Sequence, residues 1–101
     1  MVKKRIFGTT DRPRLIVSKS LNNIYAQVID DLEGKTIVGL SSTSLKQGRG
    51  NVNVAEQLGE AIAEAAIQKG VKQVVFDRAG HIYHGRIKAV AEGARKKGLQ
   101  F

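Results

Sequence analysis

Apolar residues alternate over residues 15–17 and 24–28 and recur at helical spacing over residues 54–65 and 87–94, and this change of period sets the class of fold. In the first stretch Leu15, Val17, Ile24, Ala26 and Val28 fall on one side, while Arg14, Ile16, Ser18, Tyr25, Gln27 and Ile29 fall on the other. The first set is core-like. The second mixes a cation, an amide and a phenol with aliphatic groups, which suits either an RNA-contacting sheet face or an ordinary solvated one.

Turn residues punctuate these strands. Pro13 precedes Leu15-Ile16-Val17, Asn22-Asn23 separates that strand from Ile24–Ile29, and Asp31-Leu32-Glu33-Gly34 predicts a tight hairpin into Thr36–Leu40. Three antiparallel strands in a meander follow from this spacing. From Ser41 to Asn53 the chain is polar and Gly-rich and reads as a mobile loop. Asn53 with Glu56 resembles an N-cap and capping box, Val54, Leu58, Ala61, Ile62 and Ala65 mark a buried stripe, and Gly70 ends the helix. Val74, Val75 and Phe76 read as a buried strand, followed by a second helix from about Gly85 to Lys97 that carries Ile87, Val90, Ala91 and Ala94 and stops at Gly98. The element order is therefore β-β-β-α-β-α, an α/β chain.

A chain of 101 residues has room for one core, burying roughly 65% of its unfolded surface. The pattern divides it into a basic, flexible arm over residues 1–12 and a single domain over 13–101. No apolar run approaches the roughly 18 residues that span a bilayer, and no signal-peptide segment follows Val2-Lys3-Lys4-Arg5, so neither membrane insertion nor export is expected. The absence of cysteine removes disulfides and thiolate metal sites and is compatible with a reducing cytoplasm.

The formal charge of +8 is unevenly placed. Residues 1–29 and 78–101 each carry six basic residues and one acidic, whereas residues 30–77 carry five and seven. Cations gathered at the two ends create a field that attracts a polyanion and releases its counterions, so nucleic acid is the leading partner class. A solvated basic surface or an anionic membrane would also tolerate such charge, but no basic amphipathic helix with bulky apolar residues supports the membrane. Glu56, Glu60 and Glu64 share a helix face that would repel RNA and so reads as solvated and directed away from it.

The turn between the last strand and the last helix, Asp77 to Lys88, gathers His81, Tyr83, His84, Arg78, Arg86 and Lys88. Imidazole and phenol rings stack on unpaired bases or bond the 2′-hydroxyl, and guanidinium forks onto phosphate oxygens, which is the palette for loop and single-stranded RNA. The same residues allow an enzyme reading, since Asp77, His81 and His84 are ligands of acceptable type for a divalent ion. Arg78 and Arg86 would oppose a dication, however, and no Cys or further His completes the set. No Gly-x-Ser-x-Gly elbow occurs, and Gly48-Arg49-Gly50 falls short of the phosphate-loop and dinucleotide fingerprints. The residues thus favour a chain with no catalytic role, no metal, no cofactor and no small-molecule substrate.

Arg12-Pro13-Arg14-Leu15, Ile24-Tyr25-Ala26-Gln27-Val28-Ile29-Asp30, and Phe76-Asp77-Arg78 through Tyr83-His84-Gly85-Arg86 to Gly98-Leu99-Gln100-Phe101 closely resemble the bacterial large-subunit ribosomal protein eighteen family over nearly the whole chain. The resemblance implies a two- or three-layer α/β domain with a mixed sheet of about four strands, packed by helices on one side. It implies a structural constituent of the cytoplasmic ribosome that binds 5S ribosomal RNA and helps attach it to 23S RNA in the central protuberance, beside neighbouring large-subunit proteins. An RNA-processing or ribosome-assembly factor on the same fold is the second reading. Carried over to this chain, the RNA contacts are expected at Arg12, Arg14, Ser18, Lys19, Asn22, Asn23, Tyr25, Gln27, His81, Tyr83, His84, Arg86 and Lys88, with the loop from Ser41 to Arg49 a weaker candidate. Family members commonly begin with a longer Arg/Lys-rich segment that contributes to RNA binding, represented here by Lys3, Lys4 and Arg5, which are expected RNA contacts too. The resemblance therefore implies a weaker salt-dependent term in binding by the free chain.

Overall fold

The computed structural model describes residues 7–20, 23–42 and 52–101. Its elements are β1 (Arg14–Lys19), β2 (Ile24–Asp30), β3 (Lys35–Ser41), α1 (Val52–Gln68), β4 (Val75–Asp77) and α2 (Arg86–Lys96), in the expected β-β-β-α-β-α order. The sheet runs β3-β2-β1-β4. The β1–β2 and β2–β3 pairs are antiparallel and β1–β4 is parallel, so the sheet is mixed. Helices cover one side only, giving two layers. No helix among the described residues is long and apolar enough to cross a membrane.

The alternation in β1 and β2 settles which face is covered. Leu15, Val17, Ile24, Ala26 and Val28 are fully buried under the helices, whereas Tyr25 and Gln27 on the opposite face are exposed. β3 lacks a clean alternation because its register slips between Val28 and Ile29: Val28 faces Val38 but Ile29 faces Thr36, leaving Ile37 as the extra residue of a bulge. The hairpin before it forms over residues 31–34, with Gly34 at φ 64°. The buried Asp30 side chain holds this turn, its Oδ1 accepting from the backbone N–H groups of Leu32 and Glu33 at 3.0 and 3.2 Å.

Both helices end on the same device. Gly70 (φ 86°) and Gly98 (φ 104°) take the left-handed conformation, and the following residues donate back to Ala66 and Ala94 as a Schellman motif requires. Those following residues, Val71 and Leu99, are buried, which fastens each helix end to the core. α2 keeps its expected stripe, with Ile87, Val90, Ala91 and Ala94 fully buried. α1 is rotated from expectation: Ala55, Ala63 and Ala66 are buried while Ala61 and Ala65 are only half-buried. α2 packs against it as well as the sheet, through Gly59 and Gly93, so two sides of α1 are covered. A Cβ at Gly59 would lie 2.1 Å from the Val90 carbonyl oxygen, and one at Gly93 would lie 2.2 Å from that of Glu56, so the two backbones touch. The helix is already formed at Val52, which places Asn53 within the first turn rather than at the cap.

β4 is an edge strand of three residues and not the fully buried Val74–Phe76 strand expected. Val74 is buried, but Val75 and Phe76 are half-buried, because the parallel register puts Val75 beside Arg14 on the open face and Phe76 beside Leu15 at the rim of the core. The C-terminal residues lie along its outer edge, with Val74 N–H donating to the Gln100 carbonyl at 3.0 Å and Gln100 N–H to that of Lys72 at 3.0 Å.

Phe7–Arg12, assigned by sequence to the arm, is tied to the domain. Gly8 N–H donates to Asp31 Oδ2 at 2.7 Å, Asp31 N–H to the Gly8 carbonyl at 3.1 Å, and Thr10 Oγ1 to Asp30 Oδ2 at 2.9 Å. Gly8 is required by this close approach, since a Cβ there would sit 2.3 Å from the Arg14 nitrogen. Residues 1–6 lie outside the described residues, as does most of the expected loop, at 43–51.

Candidate nucleic-acid interface

Because β4 runs parallel to β1, the segments that leave the carboxyl ends of the two strands emerge at the same end of the sheet. This is where open α/β sheets place their ligands. The β1–β2 turn and the 78–85 loop consequently meet. Lys19 N–H faces His81 Nε2 at 3.4 Å, and Arg86 Nη1 donates to the Ser20 carbonyl at 3.3 Å.

The loop itself is shaped by Asp77. Its Oδ1 accepts from Ala79 N–H at 2.8 Å, while Ala79 and Gly80 both adopt positive φ, 52° and 78°. His81 N–H then donates to the Arg78 carbonyl at 2.9 Å, and His84 N–H to that of Ile82 at 2.8 Å. These turns leave Arg78, Ile82 and His84 exposed and His81 half-buried.

The open sheet face adjoins this end. Cross-strand pairing sets Ser18 beside Tyr25 and Ile16 beside Gln27, with Ser41 and Gly39 beyond them on β3. Gly39 carries no side chain, so Tyr25 and Gln27 border a shallow depression. Ser18, Lys19, Tyr25, Gln27, His81, His84 and Arg86 thus form one surface from two chain segments about sixty residues apart. Arg78 belongs with them and was passed over as a contact, although its place between two turn residues in a basic loop was a usable signal.

Other expected contacts are engaged elsewhere. Arg14 is clamped between two acids: Nη1 lies 2.9 Å from Asp77 Oδ2, Nη2 donates to Asp31 Oδ1 at 3.2 Å, and Nε stands 3.1 Å from Asp31 Oδ2 without hydrogen-bond alignment. Burial works against the guanidinium's charge, but the two carboxylates outweigh it and raise its pKa. Asp31 is held below the usual carboxylate range, first by the Gly8 N–H and further by Arg14, against some desolvation. Arg14 thereby joins the turn after β2 to β4 across β1, and Asp77 is committed to Arg14 and the Ala79 N–H. No group of three His, Cys, Asp or Glu suited to a metal ion occurs among the described residues.

Tyr83 is turned inward. Its ring meets Phe76 edge-on at 5.8 Å and its hydroxyl accepts from Arg95 Nη1 at 3.3 Å, so it packs on the core rim instead of standing free as a stacking platform. Asn23 is half-buried, with Oδ1 accepting from Ser42 Oγ at 3.2 Å. Lys88 is exposed and 3.8 Å from Glu92. Arg12 sits at the opposite end of β1, bonded through Nη2 to Gln73 Oε1 at 2.9 Å. Lys3, Lys4, Arg5 and Asn22, and the loop candidates beyond Ser42, lie outside the described residues.

The acidic face of α1 has a structural use. Lys96 reaches Glu56 at 3.4 Å and Lys97 reaches Glu64 at 3.0 Å, pairs that cross between the helices on the side away from the open sheet. They also compensate part of the C-terminal positive charge.

Residues 1–101 match the model of the family described as ribosomal L18 of archaea, bacteria, mitochondria and chloroplast. Among curated proteins, the chain is 53% identical to the large ribosomal subunit protein uL18 of Acidobacterium capsulatum over 102 residues, covering 99% of this chain and 86% of that protein. It is 58% identical to the protein of the same name from Clostridium botulinum strain Loch Maree over 102 residues, and 53% identical to that of Acetivibrio thermocellus over 105, with the same coverage of each. A match along the whole chain at this identity leaves no room for a different family: the chain belongs to the ribosomal L18 family, is like its bacterial relatives a structural protein of the cytoplasmic ribosome, and is not an enzyme.

Proposed function

We propose that this chain binds 5S ribosomal RNA in the large subunit and helps attach it to 23S RNA in the central protuberance, next to other large-subunit proteins. The observation that carries the reading is the meeting of the β1–β2 turn with the 78–85 loop beside an uncovered sheet face. Lys19, Arg78 and Arg86 supply charge for phosphates there, while Tyr25, Gln27, His81 and His84 supply rings and hydrogen-bonding groups for bases and 2′-hydroxyls. Asp77, the acid that shapes the loop, is already paired with Arg14 at 2.9 Å. A family role in the ribosome makes RNA the natural occupant of such a surface.

Equilibrium binding to 5S RNA, to 23S fragments and to an unrelated RNA of equal length, each across a salt series, tests this. Roughly five to eight phosphate contacts give a log–log slope of about −4 to −7 if duplex behaviour holds. A preference for 5S RNA with such a slope supports the proposal; a slope near zero, or equal affinity for the unrelated RNA, refutes it.

A further inference from the structure

A second basic site lies along the outer edge of β4, away from the surface just described. Arg12 enters it from the N-terminal end of β1, roughly 20 Å from Lys19 at the strand's other end, and Arg95 enters from the last turn of α2, with Gln73, Gln100 and Phe101 between them. Arg95 is placed by aromatic packing. Its guanidinium carbon stands 4.4 Å over the Phe101 ring, which stacks on Phe76 at 5.4 Å and 9°, and its Nη1 donates to the Tyr83 hydroxyl. Among the described residues neither arginine pairs with an Asp or Glu side chain, and no such side chain lines the cleft. Glu92, three residues from Arg95, faces Lys88 instead.

We propose that this cleft is an additional RNA contact, in which Arg12 and Arg95 take phosphodiester oxygens of the RNA backbone; the inference rests on the RNA-binding reading above. A peptide adding to the edge is the poorer fit beside Gln73, because Gln100 already occupies the Lys72 carbonyl and the Val74 N–H in the segment that leads into β4. What remains open is a pair of planar guanidinium groups with no Asp or Glu partner and with amides beside them, and these match phosphate oxygens bidentately. Holding Arg95 on Phe101 before binding reduces the rotamer freedom lost on contact. The contact is to the backbone, so it adds affinity without base preference.

The experiment compares the full chain with Arg95→Gln and Gln73→Glu in binding to 5S RNA across a salt series, with folding checked by thermal unfolding. Gln73→Glu sets a carboxylate against Arg12 at an exposed position and leaves packing intact. Each variant should reduce the salt slope by about one and weaken binding roughly three- to tenfold, equally for matched and unrelated RNA. If the unaltered chain binds RNA steeply with salt and both variants match it, the cleft is no contact while the main surface stands. If the unaltered chain shows no salt-dependent RNA binding, both proposals fall. Should Arg95→Gln unfold, Gln73→Glu alone decides, and an unchanged slope overturns the inference.

Discussion

Gly93→Ala should destabilise the domain although it improves helix propensity. In an exposed helix, Ala is better than Gly by about 1 kcal/mol. Here the added Cβ would stand 2.2 Å from the Glu56 carbonyl oxygen and 3.1 Å from the Glu60 nitrogen, both backbone atoms of α1 that no rotamer change can move. Ordinary contact begins near 3.4 Å, so the helices must separate by about 1 Å, a gap that forfeits a quarter to a half of each dispersion contact across it. Overpacking of this kind costs about 1–3 kcal/mol, and backbone against backbone belongs at the upper end. Subtracting the propensity gain leaves a loss of about 2 kcal/mol, or roughly 8–16 °C in Tm for a domain of this size. Urea unfolding followed by circular dichroism measures it, with Gly70→Ala for comparison. Gly70 has φ 86° but nothing within 4 Å of a built Cβ, so that variant carries only the left-handed penalty of about 1–2 kcal/mol. A Gly93→Ala protein as stable as the parent would refute the claim that the two backbones touch.

Tyr83→Ala should lower stability by about 1–3 kcal/mol, since it removes an edge-on partner of Phe76 and the hydroxyl that receives Arg95; thermal unfolding at an unchanged midpoint would return Tyr83 to the role of a free contact residue. The depressed pKa of Asp31 also predicts a pH dependence. A carboxyl titrating lower in the folded than in the unfolded chain contributes stability that is complete above the unfolded value, near 3.9, and is lost as pH falls through the folded one. Asp31→Asn should therefore flatten the decline in stability below about pH 4; an equally steep decline in the variant would show that Asp31 is not a source of it.

The alternation of residues 14–29 and the helical stripes of residues 54–65 and 87–94 determined the element order and the covered face, because periods of 2 and 3.6 are local and each commits a whole face at once. The same local signals found Gly34, Gly70 and Gly98, whose positive φ is a property of a single turn. The sequence also named most of the candidate surface, since cations, imidazoles and amides in a loop are visible one residue at a time. Only tertiary structure decided which of those groups stay available. Arg14 and Tyr83 acquire their partners only because β4 pairs parallel to β1, which brings Asp77 to one and Phe76 to the other, 63 and 7 residues away. Gly59 and Gly93 have no local cue to their role, and only the helix crossing shows that anything larger collides there. Arg95 gave no signal of its own, because its orientation comes from Phe101, Phe76 and Tyr83 converging at the core rim. Secondary structure follows from neighbours along the chain, whereas the free charge on a side chain depends on what the fold places within a few ångströms of it, and that is a property of the topology.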